Sequence, residues 1–204
     1  MEEPPRALLF DLGGVLVDID FGRAFQFWAR RADTDPDSLR RRFRFDGAYE
    51  DHERGELSSP EYFSLLRSQL GVELTVEDLA AGWNDIYVGV VPGVAELLAK
   101  ARRHVPLYAL TNTNPSHQAA WTSLFAEELR VFTSVFVSSD LGHRKPEASA
   151  YLEVARRMGT EPHEVLFFDD TPANVEGAVA VGMPSVLVES AADVEKALTR
   201  TGFL

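Results

Sequence analysis

The chain has 204 residues, 45% of them hydrophobic, enough for one globular unit with a modest insertion. Its formal net charge of −12 repels phosphate backbones and anionic lipid, which sets nucleic acid and membrane surfaces aside as partners. Cysteine is absent, which removes disulfides and thiolate metal sites, and no apolar run reaches the ~18 residues of a spanning helix.

The start, "MEEPPRALLF", is acidic and has no basic region ahead of a long apolar stretch, so it does not read as a signal peptide. A cytoplasmic setting is expected. The first apolar run, Ala7–Phe10, is continuous, as in a parallel strand covered on both faces. It runs straight into Asp11, Leu12, Gly13 and Gly14.

From about residue 18 to 89 no strand-like run appears, but helix starts do. Asp35 caps a helix with Pro36 at its first position, Ser59-Pro60 opens a second, and Thr75 with Asp78 forms a capping pair for a third. Val91-Pro92-Gly93 then returns the chain to strands: Pro106–Leu110, Ser134–Val137, Val165–Phe168 and Ser185–Val188. Helical patterns such as "GVAELLAKARR" and "PEASAYLEVARRMG" separate them, the second stopped by Gly159. This alternation predicts an α/β fold with a doubly wound, Rossmann-like parallel sheet. The core is expected from residues 1–17 and 90–204, with a small all-helical cap, 18–89, inserted after the first strand. No repeat or low-complexity tract is visible.

In an open parallel sheet ligands bind beyond the carboxyl ends of the strands. Asp11 follows the first strand, Thr111-Asn112 the second and Asp169-Asp170 the fourth, while Lys145 lies in the stretch after the third. Singly, each is an ordinary helix cap, loop residue or solvated lysine. Together they put three carboxylates, a hydroxyl and an amine at one edge. Three clustered carboxylates repel one another unless protons or a cation intervene. Hard oxygen donors without His or Cys favour Mg²⁺, to which the Gly13 carbonyl can also turn. Mg²⁺ brings a phosphate oxygen, Lys145 and Thr111 suit the remaining phosphoryl oxygens, and Asp11 is placed to attack phosphorus. Gly13 and Gly14 let backbone approach the phosphoryl group closely.

These residues resemble the haloacid dehalogenase (HAD) superfamily, which is mostly phosphatases. "FDLGGVLVD" is similar to its first motif, "LTNTN" to its second, "GHRKPEASAY" to its third and "FFDDTPAN" to its fourth, in order along the whole chain. The helical insertion resembles the family's cap after the first motif. The resemblance implies a nucleophile at Asp11 and phosphate contacts from Thr111, Asn112 and Lys145. It implies Mg²⁺ held by Asp11, the Gly13 carbonyl and Asp170, with Asp169 a direct or water-mediated partner and Asn174 behind them. With "HERGELS" added, the motifs look most like the group that hydrolyses α-D-glucose 1-phosphate. A small phosphorylated metabolite is therefore the expected partner, and no obligate protein partner is expected.

One departure stands out. The family's usual first motif has a second Asp two residues after the nucleophile, to protonate the leaving oxygen and then activate water. Here that position is Gly13. Such acid–base help is typically worth about 10²–10⁴ in rate. An acidic leaving group, such as an anomeric hydroxyl, needs it less. Asp18, Asp20, His52 and Glu53 are the candidate substitutes, although "HERGE" also reads as a solvated helix end. Two alternatives follow: a catalytically impaired HAD-fold binding or regulatory protein, and a haloacid dehalogenase. The dehalogenase chemistry needs no metal, so the paired acids Asp169-Asp170 oppose it. Dehalogenases of the superfamily also carry an aromatic residue at the place of Gly13. A mutase is disfavoured by the same missing acid.

Overall fold

A computed structural model describes residues 4–204. In chain order the elements are β1 Ala7–Phe10, β2 Val17–Ile19, α1 Phe21–Ala32, α2 Pro36–Arg42, α3 Gly47–Glu53, α4 Ser59–Leu70, α5 Val76–Asn84, β3 Tyr87–Val90, α6 Val94–Ala101 and β4 Leu107–Thr111. They continue with α7 Pro115–Leu124, α8 Ala126–Leu129, β5 Ser134–Val137, α9 Ser138–Leu141, α10 Ala148–Met158, β6 Val165–Asp169, α11 Pro172–Ala180, β7 Ser185–Leu187 and α12 Ala191–Arg200.

The main sheet has five parallel strands in the order β5-β4-β1-β6-β7. The chain builds outward from β1 to β5 on one side, then crosses back to β6 and β7. The order therefore reverses beside β1, where such sheets open a crevice. Strand alternation divides the core between the two faces. Leu8 and Phe10 join one apolar cluster with Leu166 and Phe168, while Ala7 and Leu9 join the other with Val165 and Phe167. Both faces are covered, which is why the strands read as continuous apolar runs.

Residues 21–84 form five helices with their own core, in which Trp28 stacks on Trp83 at 6.1 Å and Phe25, Leu39, Phe63 and Leu79 are buried. Asp35 and Thr75 cap α2 and α5 as expected. The cap of α4 is Ser58, not Ser59: its hydroxyl accepts from the Glu61 N–H while Glu61 reaches back to the Ser58 N–H. The expectation of no strand in this region is corrected at its edges. β2 and β3 pair antiparallel, with Val17 opposite Val90 and a bulge between Asp18 and Ile19. Three- and four-residue, half-exposed strands whose partners lie some seventy positions apart leave no local periodicity to read.

Candidate active site

The sheet delivers the chemistry-bearing residues to one edge. Asp11 follows β1, and its N–H donates to the Phe168 carbonyl at 2.8 Å, keeping the β1 and β6 exits side by side. Thr111 is the last residue of β4 and Asp169 the last of β6. After β5, the short α9 turns the chain so that Lys145 comes back under the same edge.

Lys145 is the hub. Its side chain is completely buried, with Nζ 2.6 Å from Asp169 Oδ2 and 3.0 Å from Asp11 Oδ1. Asp169 is equally buried and fully engaged. Its Oδ1 accepts from the Thr171 N–H at 2.8 Å, and Asn174 Nδ2 donates to both oxygens at 3.0 and 3.2 Å. Asn174 is held in turn by the Tyr151 hydroxyl, which donates to its carbonyl at 2.7 Å. Asp169 thus faces Lys145 and the start of α11, whereas Asp11 and Asp170 line the cavity.

The Asn112 side chain clasps the main chain of Lys145. Its Nδ2 donates to the Lys145 carbonyl and its Oδ1 accepts from the Lys145 N–H, both at 2.8 Å. Ser138, which sequence reading passed over, makes a similar stitch: Thr113 N–H donates to its Oγ at 2.8 Å, and that hydroxyl donates to the Thr113 carbonyl at 2.9 Å. Like Asp11, it immediately follows a strand, so the strand-end rule had the signal for it.

The two glycines after Asp11 have different surroundings, and at Gly14 the bare backbone is needed by Asp170. The Gly14 φ is +74°, and a Cβ there would lie 2.0 Å from Asp170 Oδ2. Bare backbone at Gly14 is the seat of the Asp170 carboxylate. Gly13 differs: a Cβ would meet Ile19 Cδ1 at 3.2 Å, so an apolar side chain borders the place of the missing acid.

Among the proposed substitutes for that acid, Asp18 and Asp20 are exposed and do not line the cavity, and Asp20 is occupied as the cap of α1. His52 is buried against Tyr62, with Nε2 at 3.1 Å from Ser59 Oγ, and burial lowers its pKa to about 4. Glu53 does reach the cavity, but Arg144 Nε donates to it at 2.8 Å. Burial raises the Glu53 carboxyl and Arg144 opposes this. "HERGE" is therefore not a solvated helix end. It is docked on the loop around Lys145: Glu53 pairs with Arg144 just before the lysine, and Arg54 binds Glu147 just after it at 2.5 Å.

Electrostatically the floor is overloaded with acid. Burial, with Asp169 and Asp170 nearby, raises Asp11 to about 7 against the pull of Lys145. Burial and Asp169 raise Asp170 too. Burial alone lowers a lysine, but Asp11 and Asp169 outweigh it and keep Lys145 protonated. Asp11, Asp169 and Asp170 each offer an oxygen within 4.8 Å of the others. An all-oxygen donor set, short of positive charge and seated on side-chain-free backbone, fits a hard divalent cation.

Above this floor is a cavity of about 530 Å³, bounded by Thr111 and Lys145 below and by Phe21, Phe45 and Tyr49 from the helical insertion.

A model of the haloacid dehalogenase-like hydrolases matches residues 5–182, and the chain belongs to that family. It is accordingly an enzyme, a hydrolase. A D-ribitol-5-phosphate phosphatase of Bacteroides thetaiotaomicron is 28% identical over 197 residues, 94% of this chain and 96% of the relative. Hexitol phosphatase A of Escherichia coli is 27% identical over 202 residues, 94% and 86% of the two chains. A HAD-family enzyme of Bacteroides thetaiotaomicron, solved as a magnesium complex, superposes with a TM-score of 0.81 at 26% identity, covering 97% of this chain and 100% of that one.

Proposed function

We propose that the chain is a Mg²⁺-dependent phosphatase of small phosphorylated metabolites, working through a covalent phosphate on Asp11. The observation that carries this reading is the buried Lys145 ammonium held between Asp11 and Asp169, 3.0 and 2.6 Å away, beside a third carboxylate. The likeness to ribitol-phosphate and hexitol phosphatases supports sugar or polyol phosphates as the class. The motif resemblance adds α-D-glucose 1-phosphate as the first sugar to test. Residues 18–89 act as the cap. The net charge of −12 disfavours nucleic acid and anionic lipid as partners, and a cytoplasmic setting is part of the proposal.

Asp11, the Gly13 carbonyl and Asp170 would hold Mg²⁺, with Asp169 placed behind them. Bound there, the ion would neutralise the carboxylates and polarise a phosphoryl oxygen. Lys145 and the Thr111 hydroxyl would take other phosphoryl oxygens. Asp11 attacks phosphorus as the ester P–O bond breaks and the alcohol oxygen departs with the electron pair. Water then attacks the acyl phosphate, the P–O bond to Asp11 breaks, and phosphate and the free carboxylate result.

Phosphate release from 4-nitrophenyl phosphate and a panel of sugar phosphates, with and without Mg²⁺, tests this. Asp11→Asn should abolish turnover and leave the circular dichroism spectrum unchanged. Substantial activity in that variant would remove Asp11 as nucleophile. No release from any ester would favour a binding or regulatory role for the fold.

A further inference from the structure

The cavity carries two features that phosphate chemistry does not require. The first is its wall. Ile19, Phe21, Phe45, Tyr87, Trp121 and Phe125 face the space above the phosphate floor. Phe45, although large and apolar, is 62% exposed. Tyr87 sits edge-on to Phe125 at 6.0 Å, and Phe45 edge-on to Phe21 at 5.7 Å. A volume of about 530 Å³ leaves ample room for an organic group beyond the phosphate.

The second feature is that, among the described residues, no carboxyl group stands free in the cavity to protonate a leaving oxygen. Among the described residues, the carboxylates lining the cavity apart from Asp11 and Asp170 are Glu50 and Glu53. Glu50 is paired with Arg54 at 3.1 Å and Arg144 at 3.3 Å, and Glu53 with Arg144 at 2.8 Å. His117 lies stacked on Trp83 at 4.9 Å, its Nδ1 3.1 Å from Asn84 Oδ1. Burial keeps that ring neutral. Ile19 borders the one place where a neighbour of the nucleophile could supply an acid.

We infer that the site is built for phosphate esters of acidic, ring-bearing alcohols with an apolar face, aryl phosphates foremost, ahead of esters of primary alcohols. A single substrate chemistry accounts for both features. A phenolate leaves without being protonated in the transition state, and its ring fits an aromatic wall by stacking and apolar burial. An anomeric oxygen on a sugar ring shares the acidity and, in part, the ring shape. A linear polyol phosphate has neither. This inference rests on the phosphatase reading, narrows its substrate class by setting linear polyol phosphates behind ring-bearing esters, and fixes the leaving group.

The test is kcat/KM with saturating Mg²⁺ for four esters: 4-nitrophenyl phosphate, phenyl phosphate, 2-phenylethyl phosphate and D-ribitol 5-phosphate. The third has a ring but a basic alcohol; the fourth has neither ring nor acidity. The two aryl esters should exceed D-ribitol 5-phosphate by at least about 10²-fold, the scale of missing acid help. 2-Phenylethyl phosphate should fall between, with a KM below that of the polyol ester. Phe45→Ala should raise KM for the ring-bearing esters about tenfold, and Phe45→Trp should restore it. Gly13→Asp combined with Ile19→Ala should lift the alkyl esters selectively and flatten the dependence on leaving-group pKa.

D-Ribitol 5-phosphate turned over as well as phenyl phosphate, with Mg²⁺ dependence and loss in Asp11→Asn, would overturn the inference and leave the phosphatase reading standing. So would loss of alkyl-ester turnover alone in Glu53→Gln, since Glu53 would then be the acid. Silence from all four esters would overturn both.

Discussion

The Asp170 carboxylate occupies the space that a side chain on Gly14 would need: a Cβ built there stands 2.0 Å from Asp170 Oδ2. Gly14→Ala therefore acts on the metal face of the site rather than on the nucleophile. The φ of +74° adds backbone strain of about 1–2 kcal/mol for any residue with a Cβ. Asp170 must rotate away, so the Mg²⁺ concentration needed for half-maximal activity should rise at least about tenfold. Titration of activity with Mg²⁺, alongside a thermal melt, checks this; unchanged Mg²⁺ dependence would mean that Asp170 does not serve the cation.

Lys145 is the sole positive side chain within salt-bridge distance of Asp11 or Asp169 among the described residues. Lys145→Ala would leave two buried carboxylates facing each other. Removing one partner of a buried pair typically costs about 3–5 kcal/mol. Urea denaturation at pH 7.5 should show a loss of that order, smaller when Mg²⁺ is present to replace the ammonium. kcat/KM should fall with it. A variant of wild-type stability and unchanged kcat/KM would remove Lys145 from the phosphate clamp.

Much of this was visible in the sequence because the strand ends carry it. Asp11, Thr111, Lys145 and Asp169-Asp170 each sit at a fixed place after an apolar run, and parallel topology brings such places together without knowledge of side-chain geometry. What could not be read were contacts made between distant segments. The family resemblance implies Asn112 as a phosphate ligand, yet its side-chain amide is tied to the main chain of Lys145, thirty-three residues on. Glu53 reads as surface charge because its partner, Arg144, lies ninety-one residues away. The β2–β3 ribbon escaped for the same reason: its pairing is entirely non-local.

The raised pKa of Asp11 gives a signed stability prediction for the cation-free enzyme. Folding lifts this carboxyl from near 4 to about 7, so the folded state holds the proton more tightly than the unfolded chain. Between these values the native state binds more protons, and stability falls as pH rises. Asp170 shifts in the same direction. In the presence of a chelator the enzyme should thus gain stability from pH 7.5 to pH 5, and Asp11→Asn should lose part of that gain. Activity runs the other way, because the nucleophile must be ionised. At low Mg²⁺ the rate should drop below about pH 7, and saturating Mg²⁺ should move that limb to lower pH. A limb insensitive to Mg²⁺ would assign the titration to another group.

The last prediction concerns how the insertion is tied to the clamp. α3 meets the loop around Lys145 through crossed ion pairs: Glu53 with Arg144 on one side of the lysine, Arg54 with Glu147 on the other. Beside these pairs the same turn also touches α9, since a Cβ on Gly55 would stand 2.4 Å from the Ser139 carbonyl oxygen. Arg54 and Glu147 are only partly buried, so the pair contributes no more than about 1 kcal/mol to stability. Its position is what matters, because Glu147 lies two residues from Lys145. Arg54→Glu should raise KM several-fold, raise the inhibition constant of inorganic phosphate in parallel, and barely move Tm. The charge swap Arg54→Glu with Glu147→Arg should recover most of the loss, which a general effect on folding would not. Equal KM in all variants would reduce these contacts to surface packing.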